Sequence, residues 1–344
     1  MTRRRHLPPC AIAALLAGCA SPPPPPVVKP EPSTSYPCNY PVAAVAFAPD
    51  SADLLYAVET PTAQCLIYRS PSFGARDDQR PLEATLQGRL VALACLGQNR
   101  YLVGVDTGEV VVQPFDTASP SRAKGVTLRN RKEPVPAAIT PLGPQLVAMA
   151  VAGDPTRGDE LRIYETKDGS SRIVEVTEPV WWQSLAGGEQ QAYGLDCRGE
   201  RRLWRLDLTD GTWRASFQRT CTERVAALLA TDSGVLLCGR QVSRLVGNDL
   251  TPVLPAAMPI RQAACSADGS TCAVVTDDAK VRVFRGGREL RNVPALAGSA
   301  RCTAVSRDGT RIAIGYGDDA GRGNVLVVDL AALGDLTVLG DQAP

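Results

Sequence analysis

The sequence predicts an all-β fold, a β-propeller of seven four-stranded blades, with six or eight open because the fifth unit is short. Three observations predict it. From residue 42 onward one unit recurs: an apolar strand, a turn, a second apolar strand, a polar-edged strand and often a fourth. Unit starts near Val42, Leu90, Ala137, Val180, Val225, Ile260 and Ala300 are spaced by about 35–48 residues, the length of a four-stranded blade. No segment carries a long amphipathic helical pattern, which opposes a strand–helix alternation.

The elements follow in order. Arg3, Arg4 and Arg5 precede a short apolar run, Ala11–Leu16, and small residues lead to Cys19. That layout is a charged region, an apolar region and a cleavage point, as in a secretory signal. The apolar run is too short to span a bilayer, which takes about 20 residues. Residues 1–18 are therefore read as a signal peptide and 19–41 as a tether. Pro22 to Pro26 are consecutive, and proline runs extend as polyproline II, a semi-rigid spacer. Residues 42–340 are assigned to the propeller.

Its first hairpins are clearest in Val45-Ala46-Phe47-Ala48-Pro49-Asp50, Ala264-Cys265-Ser266-Ala267-Asp268-Gly269 and Ala304-Val305-Ser306-Arg307-Asp308-Gly309. Asp-Gly suits a tight turn because glycine tolerates positive φ. Third strands follow at 66–68, 110–112, 161–164, 203–206, 281–284 and 325–328. The last unit supplies a fourth strand of its own in Asp335–Leu339. Residues 34–41 are the other source of an edge strand, which Pro37 and Pro41 disfavour.

Composition narrows the function. Removing residues 1–18 takes away three arginines and the single histidine, His6, and turns the net charge from +1 to −2. Near-neutrality opposes nucleic-acid binding, which uses a strongly basic face. Without histidine the chain lacks the commonest general base, the commonest metal ligand and any Ser-His-Asp or Cys-His arrangement. No cofactor or metal is expected, and no catalytic residue is assigned. Nine cysteines follow Cys19, an odd number with no CxxC, so at least one is unpaired within the chain. Cys265 and Cys272 flank a turn and face each other in one register. A bulge at Gly269 instead turns them to opposite faces.

Other motifs have plainer readings. Gly315–Ala320 fits a dinucleotide pattern but runs into a strand, not a helix, and reads as an inter-strand loop. Arg157-Gly158-Asp159 spells an adhesion tripeptide where turn residues are expected anyway. Trp181 and Trp182 open the fourth unit and Trp204 and Trp213 close it; they read as inter-blade packing with a cross-strand aromatic pair, the alternative being that one of Trp181 and Trp182, which point to opposite faces, is directed to the surface. Arg122, Lys124, Arg129, Arg131 and Lys132 form a basic cluster read as a solvated outer strand.

Several stretches carry resemblances. Leu16-Ala17-Gly18-Cys19 resembles the lipobox of bacterial lipoproteins, which implies that Cys19 is lipidated and becomes the mature N-terminus. Ala20 and Ser21, in place of an aspartate, imply outer-membrane rather than inner-membrane retention. The first hairpins, with Ser-x-Asp-Gly, resemble WD40-like repeats. Leu203-Trp204-Arg205-Leu206-Asp207-Leu208-Thr209-Asp210-Gly211-Thr212-Trp213 resembles a quinoprotein repeat. Signal, tether and propeller together are similar to the propeller subunit of the bacterial β-barrel assembly machinery, which implies a periplasmic scaffold working with other envelope proteins. A part of another envelope complex is equally permitted.

The expected function is a non-catalytic scaffold, exported, lipid-anchored in the outer membrane and facing the periplasm. Strand alternation puts loops 153–160, 196–201, 315–323, 130–135 and 217–224 on one rim. That rim is the expected partner face, with Arg131, Arg157, Asp159, Arg198, Arg201 and Arg322 as contact candidates. The alternatives are a small-ligand or glycan binder, or a lactonase-like enzyme using channel carboxylates. Oligomeric state is left open.

Overall fold

A computed structural model describes residues 33–48, 53–70, 82–97, 99–115, 125–131, 133–153, 156–188, 190–255, 258–290 and 293–333. The signal segment, Cys19, Arg122, Lys124, Lys132 and the strand expected at Asp335–Leu339 lie outside them. The described chain forms seven four-stranded antiparallel sheets arranged as the blades of a propeller. No helix occurs among the described residues.

The innermost strands are β2 (Val42–Phe47), β6 (Leu90–Gly97), β10 (Pro136–Pro141), β14 (Trp182–Gly187), β18 (Ala227–Thr231), β22 (Ile260–Cys265) and β26 (Ser299–Val305). Each starts within two residues of a unit start read from the sequence. Six of the seven carry a register shift within their first three residues: Val42/Ala44, Leu90/Ala92, Pro136/Ala138, Trp182/Ser184, Ile260/Gln262 and Ala300/Cys302. A bulge near the same place bends these six inner strands alike, which suits a ring of similar blades. The short fifth blade lacks it.

Apolar packing holds the ring between blades rather than at its centre. Seven hydrophobic clusters occur, one at each junction. Second strands serve two junctions at once. In β3 (Leu54–Glu59), Leu54, Tyr56 and Val58 pack towards blade seven, while Leu55 and Ala57 pack towards blade two. Period-two alternation between two buried faces explains why these strands read as unbroken apolar runs.

Closure departs from the first expectation. Blade seven contains β26, β27 (Arg311–Gly317), β28 (Gly323–Asp329) and, as outer strand, β1 (Ser33–Cys38). The N-terminal segment donates the fourth strand, so the sheet begins inside the stretch assigned to the tether. Tyr36 lies opposite Val325 and is buried with Val42, Val45 and Val327. Pro37 is accepted because β1 is an edge strand, where one missing N–H costs no ladder bond. The chain then passes so close that a Cβ on Gly323 would stand 2.2 Å from the Tyr40 carbonyl.

The Ser-x-Asp-Gly turns of blades six and seven are built identically. Ser266 Oγ donates to Asp268 at 2.5 Å and accepts from Thr271 N at 3.0 Å. Ser306 Oγ donates to Asp308 at 2.6 Å and accepts from Arg311 N at 2.9 Å. Gly269 and Gly309 both have φ of +70°, the left-handed region that glycine enters without strain. Backbone bonds link three turns in series, Asp232 N to Ala267 O at 2.6 Å and Ala267 N to Arg307 O at 3.0 Å.

These turns set an acid limit. The Ser266 hydroxyl, with Ser270, holds Asp268 down at about 2, and Ser306 lowers Asp308. A carboxyl whose folded pKa lies below its unfolded value, about 3.9, stabilises fully above that value and loses the contribution as pH falls through the folded pKa. The thermal midpoint is expected to drop between about pH 4 and pH 2, with D268N flattening part of the slope. An identical slope in D268N would contradict this role.

Candidate functional site

Strand direction sorts the loops onto two rims. One rim carries the loops from second to third strands and those between blades; the other carries the hairpins from first to second strands. All six contact candidates lie on the first rim. Arg131 precedes β10, and Arg157 and Asp159 join β11 (Leu146–Val151) to β12 (Glu160–Glu165). Arg198 lies between β15 (Gln191–Asp196) and β16 (Arg201–Thr209), Arg201 opens β16, and Arg322 precedes β28. Five of them gather around blades three and four, while Arg322 stands apart on blade seven.

The structure separates their roles. Arg157 is exposed, but Asp159 turns inward, its Oδ2 accepting the Trp182 N–H at 2.9 Å. Burial pushes the Asp159 carboxyl up, and the backbone bonds from Trp182 and Gly153 oppose that. The adhesion-like tripeptide therefore presents its arginine, while its half-buried carboxylate is engaged by the backbone. Arg131 pairs with Glu109 at 2.7 Å, and Arg322 with Asp318 at 3.0 Å. Ion pairs with an exposed arginine of this kind contribute little to stability. Arg201 is half-buried on the first residue of its strand. Arg129, grouped with the basic cluster, is buried and donates to the Tyr164 hydroxyl at 3.1 Å, so it is a core group and not a surface cation.

The densest arrangement is at the corner of blade four, around Asp196, which is fully buried. Its Oδ2 accepts Arg202 Nε at 3.0 Å and Nη2 at 2.6 Å, and its Oδ1 accepts the N–H groups of Trp181 at 3.2 Å and Arg198 at 3.1 Å. Arg202 also reaches Glu178 at 2.7 Å and the Pro179 carbonyl at 3.2 Å. Sequence reasoning missed both residues. Period-two parity on β16 was the available signal, since Arg201 and Arg202 must leave opposite faces. Above this clamp the Arg198 guanidinium lies 3.9 Å from the centroid of the half-buried Trp181. Trp182 is buried, so Trp181 is the outward member of the pair. A stacked cation on a half-exposed indole is a flat, preorganised contact surface.

The opposite rim holds a cavity of about 840 Å³ at the end of the central channel, lined by residues of all seven blades. Its polar lining includes Gln190, Gln191, Tyr193, Thr231, Asp232 and Arg307. Gln262 is committed to structure: its amide donates to the Thr303 carbonyl at 3.2 Å and accepts the Thr303 N–H at 2.6 Å. Asp232 is the carboxylate among the described lining residues, and no group of three or more potential metal ligands occurs among the described residues. No disulfide links the nine described cysteines, and Cys265 lies directly opposite Cys272.

Ser33 lies opposite Val328, near the end of β28, so the chain enters the propeller on the cavity rim and the arginine rim faces the other way. No protein-family model matches this chain, and no curated protein matches it.

Proposed function

We propose that the protein is an exported, lipid-anchored propeller that holds other envelope proteins on its arginine rim. The observation that carries this reading is the placement of the two rims. If Cys19 is the anchor, the segment 20–32 links it to Ser33, where the described chain begins. It joins the ring on the cavity side, leaving Arg131, Arg157, Arg198 and Arg201 on the far rim for a partner. The lipobox resemblance supports an outer-membrane anchor, and the rigid ring supports a scaffold. The similarity to the propeller subunit of the β-barrel assembly machinery suggests the kind of complex. Purification of the full chain from detergent-solubilised membranes is expected to bring down a defined set of envelope proteins. It should also show lipid on Cys19. A soluble, unlipidated protein recovered alone would overturn the reading.

A second reading, small-ligand or glycan binding, is favoured by the channel cavity. Tyr193 with the exposed Gln190 offers an aromatic ring and an amide of the kind that sugars use. Saccharides that raise the thermal midpoint of wild type but not of Y193A would support it.

A further inference from the structure

We propose that Cys265 and Cys272 form a cross-strand disulfide when the chain folds in the presence of a disulfide oxidant. Register carries the proposal. The two residues face each other across β22 and β23 (Thr271–Thr276). The neighbouring pair is hydrogen-bonded, Ser266 N donating to Thr271 O at 2.8 Å. In an antiparallel ladder the next pair is then non-hydrogen-bonded, with Cα atoms about 4.5 Å apart and side chains on one face. A disulfide takes Cα separations of about 4.4–6.8 Å, so it closes here without moving the backbone. Both cysteines belong to the cluster between blades five and six, which confirms the shared face.

The surroundings agree. Cys265 also lines the channel cavity, which gives an oxidant a route to one sulfur. Burial, with Cys272 beside it, pushes the Cys265 thiol up to about 12, and Cys272 rises to about 11. Asp268 raises both and Arg244 of blade five opposes it. Thiols this reluctant to ionise exchange slowly once buried, so the bond forms during folding, before blade five covers the pair. One thiolate attacks a glutathione-type or protein disulfide and releases one thiol. The second thiolate then attacks the mixed disulfide and releases another. One S–S bond forms, the donor's is reduced, and both protons leave on the released thiols.

A third thiol, Cys238 on blade five, is the competitor, since it is close enough for both cysteines to raise its pKa. It is in the same cluster but not in cross-strand register with either.

The test is refolding of the reduced, denatured full chain in a glutathione redox buffer, followed by alkylation under denaturing conditions and non-reducing peptide mapping. Cleavage after Lys and Arg leaves both residues in one peptide, Gln262–Lys280, and further cleavage before Asp268 separates them. The expected result is that this peptide escapes alkylation, is lighter by two hydrogens, and splits at Asp268 only after reduction. C238S should leave the link intact. Alkylation of both cysteines, or a bond from either to Cys238 or any other cysteine, would overturn the proposal. The inference does not depend on the scaffold reading, because the redox buffer supplies the oxidant. Export would supply one in the cell.

Discussion

A chain starting at Ser33 is expected to fold and unfold cooperatively, whereas one starting at Asn39 is expected to aggregate or melt without a single transition. The difference is the strand β1. Without it, β28 presents Val325, Leu326, Val327 and Val328 on a bare edge, an open template for pairing with other chains. The junction between blades seven and one also loses Tyr36, which is 4 % exposed. Y36A alone is expected to cost about 3 kcal/mol, in the range for large core truncations. Calorimetry of the two truncations decides the matter. Identical melting of both would mean that another segment closes the ring.

The second large effect is expected at Asp196. D196A leaves Arg202, whose side chain is only 23 % exposed, without its buried partner, and strands the Trp181 and Arg198 N–H groups. Breaking a buried pair from one side costs about 3–5 kcal/mol, and the contacts that Arg202 keeps to Glu178 and the Pro179 carbonyl put D196A at the lower end of that range. The double variant D196A/R202A should therefore cost less than the two single changes summed. Denaturant melts of the four proteins give the coupling directly. Additive costs would show that Arg202 and Asp196 act independently and that the corner is held by packing alone.

Most of the fold was legible because blades are local. Val45–Asp50, Ala264–Gly269 and Ala304–Gly309 each state the same hairpin, and the alternation seen in β3 makes strands apolar on both faces. Blade number followed from unit spacing. Closure was not legible, because the pairing of Tyr36 with Val325 joins opposite ends of the chain and repeats nothing. Pro37 also argued against a strand unless its edge position was known.

The site was legible as a rim but not as a set of roles. Loop direction follows from counting strands, so Arg131, Arg157, Arg198, Arg201 and Arg322 could be placed together. Which arginine is committed inward depends on packing: Arg202, one residue from Arg201, holds the buried Asp196. Asp159 looked like a surface carboxylate and instead receives the Trp182 N–H. The cavity on the other rim needed seven strands from across the chain to converge, which no local pattern records.

The central claim, that partners are held on the arginine rim, is tested most directly by site-specific photocrosslinking in intact cells. A photoreactive residue is placed at Arg157 on one rim or at Arg307 on the other, both exposed. The scaffold reading predicts discrete adducts with envelope proteins from position 157 and none from position 307. Adducts from 307 alone, or from neither position, would contradict it.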